Sequence, residues 1–470
     1  MSEEIQSIDL LDQLPPIPSH DYRSALEAAR SSRLDAIIVL DDDPTGTQTV
    51  HDIPVLTEWS VASLQAEFQT GTPLFYILTN SRSLVEFEAV ELAKEIGANL
   101  KTAAEANGTR FWVISRSDST LRGHYPAEVT ALEEAIEQTS SVHFIIPAFF
   151  EGGRYTVNDI HYVQQGDQLL PAASTPYAQD PVFGFNNSNL KKWISEKTKG
   201  TVDESQVESI SIDDLRTSPH QQLVSKLAAL KPGTCCVVNA AAYPDLVHFS
   251  LALLESGITP MIRTAAALVA ALGGMEQKEL LSGKELVFGS GGLVIAGSFV
   301  STTTAQLNHL FKHRPDLMKV ELSVNEILQQ KDNSLLDSYI QQVENYLLQG
   351  KIAVVYTSRE LVKDSSEEKN QQIGRTVSNF LIGILQGLHT APGFLVSKGG
   401  ITSSDVATKG LGVRKAMVRG QIIKGVPVWQ TGSESRFPGL NQVIFPGNVG
   451  SESSLTEVVN LLATSNRSEI

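Results

Sequence analysis

The chain has 470 residues, more than one hydrophobic core ordinarily serves, so two domains are expected. Hydrophobic residues make up 41% and charged residues 19%, the balance of a folded protein rather than a disordered one. A formal net charge of -16 repels phosphate backbones and anionic lipid surfaces, which argues against nucleic acid or a membrane as partner. Any anionic ligand must then be met by a local island of Arg and Lys.

Residues 1–30 read as an N-terminal extension, with Pro15, Pro16 and Pro18 and then a helix-like stretch from Tyr22 to Arg30. Its start, MSEEIQSIDLLDQLPP, is acidic where a secretory leader is basic and then apolar. No run of about 18 apolar residues follows anywhere, so a soluble, cytoplasmic protein is expected. Next, the apolar run Ala36 to Leu40 ends abruptly in Asp41, Asp42, Asp43 and a Pro-Thr-Gly turn. That pattern predicts a buried parallel strand delivering acids at its C-terminal end. The same layout recurs in PLFYILTNSRS, RFWVISRSDSTLRG, VHFIIPAFFEGGR and TCCVVNAAAYPD. Helix-period stretches, Val85 to Thr102 and Pro126 to Gln138, lie between them. The fold class is therefore α/β, with a doubly wound, largely parallel sheet and ligands at the strand C-terminal ends.

From Asp159 to about Thr201 the periodicity weakens, which predicts a long polar loop acting as a lid or specificity insertion. The two cysteines, Cys235 and Cys236, are adjacent in an apolar run and are expected to be buried thiols. Arg263 to Leu281 reads as an Ala-rich helix broken by Gly273 and Gly274. A first domain over 31–283 and a second over 284–470 follow. The second opens with GSGGLVIAGSFVSTTTAQL, a strand, a small-residue turn and a helix start. KIAVVYTSRE, a helix through Ile373 to Leu388, GFLVSKGGITSSDVATKGLG and a strand-rich end make it a second α/β domain.

The P-loop, the G-x-G-x-x-G turn, H-E-x-x-H and G-x-S-x-G are all missing from the sequence. What remains is polar clusters at strand ends. Asp41, Asp42, Asp43, Thr45 and Gly46 form the first; three crowded carboxylates need a metal, an Arg or a shared proton, or else they make a solvated turn with an Asp as N-cap. An Asp here can take a hydroxyl proton or hold Mg2+. Asn80, Ser81 and Arg82 follow the second strand; Arg116, Asp118, Ser119, Thr120, Arg122, Gly123 and His124 follow the third; Glu151 and Arg154 follow the fourth. Arg forks suit a carboxylate, and Asp118 is either a second acid or a clamp on Arg122. In the second half, Gly297, Ser298 and Ser301 to Thr304, then Ser397 to Ser404, then Phe445 to Gly450, form small-residue loops suited to phosphate. Together they predict a nucleotide domain beside a substrate domain.

These residues make the chain resemble the four-carbon acid sugar kinases, a family once filed as a domain of unknown function. The resemblance runs through Asp42-Asp43-Pro44-Thr45-Gly46, Asn80-Ser81-Arg82, Asp118 to Gly123, Pro147 to Phe149, Gly297 to Ser301, Ser397 to Thr402 and Pro446 to Gly450. It implies a sugar-acid-binding domain over 31–283 and a nucleotide-binding domain over 284–470. It also implies transfer of the ATP γ-phosphate, with Mg2+, to a hydroxyl of a short sugar acid such as erythronate, threonate or an oxo derivative. Ser298, Gly399, Gly400, Ile401, Thr402 and Gly447 map to ATP. Asp42, Asp43 and Asp118 are the candidate catalytic acids, and Thr45, Gly46, Asn80, Arg82, Arg122, His124, Glu151 and Arg154 the candidate substrate-binding residues. Arg116 stands where the family commonly has Lys, His124 where it has Asn, and Ile401 where it often has Glu. Two rivals are a non-catalytic sugar-acid and nucleotide sensor, and a hydroxy-acid dehydrogenase, which the missing G-x-G-x-x-G disfavours. The oligomeric state is left open, a homo-oligomer included.

Overall fold

The computed structural model describes residues 4–276, 278–297, 300–330, 332–359, 367–447 and 449–465. By contacts within the chain it divides into two compact units, Met1–Val50 with Glu58–Gln277, and His51–Thr57 with Lys278–Ile470.

The strands of the first unit's main sheet are β2 (Ala36–Asp41), β4 (Leu74–Leu78), β5 (Phe111–Arg116), β6 (Val142–Ile146), β10 (Glu208–Ile210), β11 (Cys235–Val238) and β12 (Pro260–Thr264). They run in the order β10-β11-β6-β12-β5-β2-β4, and every pairing among them is parallel. Both faces are covered, so β2 and β4 are buried at every residue and read as apolar runs rather than alternating ones. Helices Arg23–Arg33, His220–Ala228, Tyr243–Ser256 and Ala266–Gly273 pack in one group, and Val61–Gln69, Glu86–Asn107 and Ala127–Ala135 in another. The long helix Glu86–Asn107 shows why such segments form. Glu86 and Glu88 sit in its first turn against the positive end of the helix dipole, and Gly108 closes it in the left-handed conformation.

Beside the parallel sheet lies an antiparallel one, β1 (Gln6–Ser7), β7 (Arg154–Val157), β8 (Ile160–Gln165) and β9 (Gln168–Pro171), in the order β1-β9-β8-β7. This corrects the reading of 159–201 as one long loop: it holds two strands and the helix Leu190–Lys197. Likewise, the stretch expected as a helix from Arg263 begins as strand β12, and its helix spans Ala266–Gly273.

The second unit takes strand β3 (Ile53–Leu56), with β13 (Gly292–Ala296), β14 (Met318–Leu322), β15 (Ile352–Thr357), β16 (Leu395–Lys398), β17 (Lys415–Ile423), β18 (Val426–Thr431) and β19 (Asn441–Phe445). Their order is β3-β17-β18-β19-β16-β13-β15-β14. From β19 to β14 the pairings are parallel, and β3, β17 and β18 add antiparallel strands. Its core gathers Val294, Val354, Val396, Val443 and Phe445 from these strands, with Phe394 just before β16. Among the described residues no helix is long and apolar enough to cross a membrane.

Candidate functional site

In the first unit the chain passes from β2 to β4 on one side and then to β5 on the other. The three strand ends therefore flank the point where the winding reverses, where open α/β sheets place their ligands. The parallel register sets Asp41 beside Arg116, and Arg116 Nη1 donates to Asp41 Oδ1 at 3.0 Å. Asp41 is 1% exposed, and burial pushes its carboxyl up to about 7 against the pull of Arg116. Gly46 lies directly over it: a Cβ there would collide with the Asp41 carboxylate and with Arg116, so the turn tolerates only glycine.

Asp42, Asp43, Arg82 and Asp118 converge next. Arg82 Nη2 donates to Asp43 Oδ2, and its Nη1 lies 3.4 Å from Asp118 Oδ1 and 3.8 Å from Asp42 Oδ1. Asp43 Oδ1 also accepts from the backbone and hydroxyl of Thr45. Burial alone would raise the Asp43 carboxyl, but Arg82 and the Thr45 donors outweigh it and hold it below the usual range. Asp118 is held low in the same way, by Arg82 and by Arg122, whose Nε donates to its Oδ2 at 2.8 Å, with Thr120 as a further donor. Asp42 differs. Its Oδ2 accepts from Ser117 Oγ at 2.7 Å, while among the described residues its buried Oδ1 has no hydrogen-bond donor.

The turn from Ser117 to His124 is held from below by two residues outside the sequence-predicted site. His161, fully buried, sets Nε2 2.7 Å from the Ser119 carbonyl, which can only accept, so Nε2 carries the proton and Nδ1 accepts from Thr156. Burial pushes this imidazole down to about 4, so it is neutral at neutral pH. Arg263, from within β12, donates to Ser117 Oγ at 3.3 Å and to the Arg122 carbonyl at 3.0 Å, above the rings of Trp193 and Tyr125. Leu121 is buried in the left-handed region at φ 69°, a strain that costs about 1 kcal/mol or more and is concentrated at sites over-determined by their surroundings. A strand-interior Arg and a His in a polar stretch carry no strand-end signal, which is why the sequence placed neither in the site.

The other sequence-predicted residues are placed as follows. Asn80 takes a left-handed backbone and turns its amide to Ser83. His124 is buried, with Nε2 on the Leu84 carbonyl and its ring edge-on to Phe183. Arg154 donates to the Gly152 carbonyl and shares the ring of Tyr177 with Arg122. Glu151 is exposed and accepts from the Tyr243 hydroxyl at 2.8 Å, with no ion pair to the acid–arginine cluster. Among the described residues no group of three or more His, Cys, Asp or Glu side chains is arranged to hold a metal ion. The acids are instead paired with arginines.

In the second unit the winding reverses between β13 and β16, and the loops after β13, β16 and β19 come from neighbouring parallel strands. Gly399 sits at φ 113°, a conformation closed to L side chains, and its N–H donates to the Phe445 carbonyl at 2.8 Å. Gly400 starts the helix Gly400–Asp405, with Ile401 exposed and Thr402 against Gly297. Gly447 faces open space. Lys398, fully buried, ties the β16 and β19 loops together: Nζ donates to the carbonyls of Pro446 and Gly447 and lies 4.3 Å from the Phe445 ring centre. Burial pushes this amine down to about 7. Gln306 fastens the far side, donating to the carbonyls of Val449 and Ser451. Ser298 lies outside the described residues. A left-handed glycine followed by free helix-start N–H groups, beside an unobstructed Gly447, fits a phosphate chain.

Comparison with known proteins agrees with this division. The sugar-binding N-terminal domain matches residues 37–272, half of the chain, and the nucleotide-binding C-terminal domain matches residues 293–455. Among solved structures, a Haemophilus influenzae DUF1537 protein superposes with a TM-score of 0.61 at 19% identity, over 90% of this chain and 100% of that one. A Salmonella typhimurium LT2 protein named as a tRNA synthase superposes with a TM-score of 0.66 at 16% identity, over 90% and 98%. Identities this low establish a shared fold. The curated proteins contain no match. The two domain matches, in this order and on these two units, place the chain in the family they define: it belongs to the four-carbon acid sugar kinase family, with a sugar-binding N-terminal and a nucleotide-binding C-terminal domain.

Proposed function

We propose that the protein transfers the γ-phosphoryl group of ATP to a hydroxyl of a short, four-carbon sugar acid or its oxo derivative. The observation that carries this reading is Asp42: a buried carboxylate held by Ser117, with one oxygen lacking a donor among the described residues and two guanidinium groups within 3.8 Å. That oxygen accepts the proton of the attacking hydroxyl, whose oxygen bonds to the γ-phosphorus as the bond to ADP breaks. Asp43 and Asp118, held low by their donors, keep Arg82 in place rather than taking protons. Arg122 and Arg154, sharing the Tyr177 ring, take the acceptor's carboxylate. The Gly399–Thr402 turn and Gly447 hold the ATP phosphates. Since Asp41, Asp43 and Asp118 are bonded to arginines, Mg2+ is expected to arrive on the nucleotide.

The test is ADP release with Mg-ATP against four- to six-carbon sugar acids, keto forms included, for wild type and Asp42→Asn. One acid is expected to turn over, with Asp42→Asn lowering kcat about 10²–10⁴-fold at unchanged melting temperature. Near-normal turnover by Asp42→Asn would remove Asp42 as the base. Silence of the wild type across the whole panel would sink the kinase reading.

A further inference from the structure

The segment following β9 folds back onto the arginines. Its turns Ala172–Ser174 and Pro176–Gln179 bring the Tyr177 ring 5.2 Å from the Arg122 guanidinium carbon and 5.9 Å from that of Arg154. Asp180 then places Oδ2 3.6 Å from Arg122 Nη1, close enough to pair in charge but beyond hydrogen-bond distance. The other Asp180 oxygen is engaged locally, accepting from the N–H groups of Val182 and Phe183 at 2.9 and 3.0 Å. The far end of the segment is pinned: Lys197 Nζ donates to the carbonyls of Phe183 and Gly184, and Phe183 packs on His124.

Arg122 is thus flanked by two carboxylates of unequal hold. Asp118 is hydrogen-bonded to it at 2.8 Å from the same turn, whereas Asp180 reaches it from another element without a bond. A ligand carboxylate arriving at the Nη1 edge meets Asp180 there already, and two anions cannot share that edge without repulsion. We propose that Asp180 and Tyr177 tune acceptor binding: Asp180 is an internal carboxylate that competes for Arg122 until the acceptor's own carboxylate replaces it, while Tyr177 keeps both guanidinium groups in place through the exchange. Ligands with a carboxylate displace Asp180; neutral polyols of the same length leave it in place. The inference rests on the reading of Arg122 as the carboxylate-holding residue and adds what that carboxylate must displace.

Asp180→Asn separates the charge from the fold, because the amide oxygen still accepts from Val182 and Phe183. Binding of erythronate, threonate and neutral erythritol is measured by calorimetry on the full chain, with KM and kcat from the ADP-release assay. Asp180→Asn is expected to lower Kd and KM for the acid that the wild type takes about two- to fivefold, the range of a partly exposed ion pair, with kcat, erythritol binding and melting temperature unchanged. Tyr177→Phe should match wild type and Tyr177→Ala should weaken acid binding about fivefold, as loss of two cation–π contacts predicts. A merely structural Asp180 would weaken binding when replaced. Unchanged or weaker acid binding by Asp180→Asn therefore overturns the proposal while leaving the kinase reading intact. Failure of the wild type to bind either acid refutes the acceptor class, and this inference with it.

Discussion

Arg82→Met removes the guanidinium against Asp42, Asp43 and Asp118 and leaves an apolar side chain of similar length among three buried carboxylates. The Arg82 side chain is 18% exposed, with Asp43 at 17% and Asp118 at 14%, so solvent screens these pairs little. Breaking a buried pair from one side costs about 3–5 kcal/mol. Asp118 keeps Arg122 and Asp42 keeps Ser117, which argues for the lower end. For a unit of this size that is a fall in melting temperature of about 6–12 °C. The pH dependence gives the sharper test. Asp43 and Asp118 are held low in the wild type, so their stabilisation is present above about pH 4 and is lost as pH falls through their depressed values. In Arg82→Met only the Thr45 donors and Arg116 still oppose burial at Asp43, and its carboxyl is expected to titrate above its ordinary value. The variant therefore gains stability from pH 7.5 down to 4.5, where the wild-type contribution of these groups is flat. Scanning calorimetry at both pH values should show the gap between the two proteins closing on acidification. A gap of equal size at both, or one under about 2 °C at pH 7.5, would refute the charge balance described here.

Gly399→Ala forces a Cβ into φ 113°, at a cost of about 1–3 kcal/mol; ATP affinity should fall about tenfold by calorimetry while acid binding stays at the wild-type value. For Lys398 the sign runs the other way from an acid pair. Its folded value near 7 lies below that of the unfolded chain, so its contribution is fully present only at high pH and is lost as pH falls towards 7. Relative to Lys398→Met, the wild type should therefore gain stability from pH 7 to 10, by up to about 1.4 kcal/mol per pH unit, and the difference should be flat below 7. A difference that is constant from pH 6.5 to 9.5 would contradict the buried, uncompensated amine.

The parallel strands were legible because burial on both faces leaves a continuous apolar run: AIIVL, LFYIL and VHFII became β2, β4 and β6. Their abrupt polar ends were legible for the same reason, and Asp41 to Asp43, Arg82 and Asp118 to Arg122 do converge. What stayed hidden depends on partners distant in sequence. Strand β7 to β9 is a meander of short polar-rich strands, Gln164 and Gln165 among them, with no apolar period to detect. Strand β3 sits inside the first domain's sequence, yet pairs antiparallel with β17 some 360 residues away, a register fixed by tertiary contact alone. Arg263 looked like the start of an Ala-rich helix; only the fold shows its guanidinium beneath the 117–124 turn, because nothing local distinguishes PMIRT from a helix entry.

The choice among the acids is the clearest case of chemistry that three adjacent Asp codons cannot express. Asp43 accepts two donors from Thr45 and one from Arg82, so its proton affinity is low. Asp118 is saturated in the same manner. Asp41 has the proton affinity of a base near neutrality but lies sealed under Gly46 and paired to Arg116, with 1% of its surface exposed. A base needs an oxygen that no donor yet occupies and a route for the proton that it takes. Asp42 supplies the first through Oδ1, and its Oδ2 bond to Ser117 fixes the carboxylate plane so that the free oxygen does not rotate away. Asp41 Oδ2 also has no hydrogen-bond partner among the described residues, so what favours Asp42 over it is the Arg116 bond and the Gly46 backbone that seal Asp41, while their donors set Asp43 and Asp118 aside.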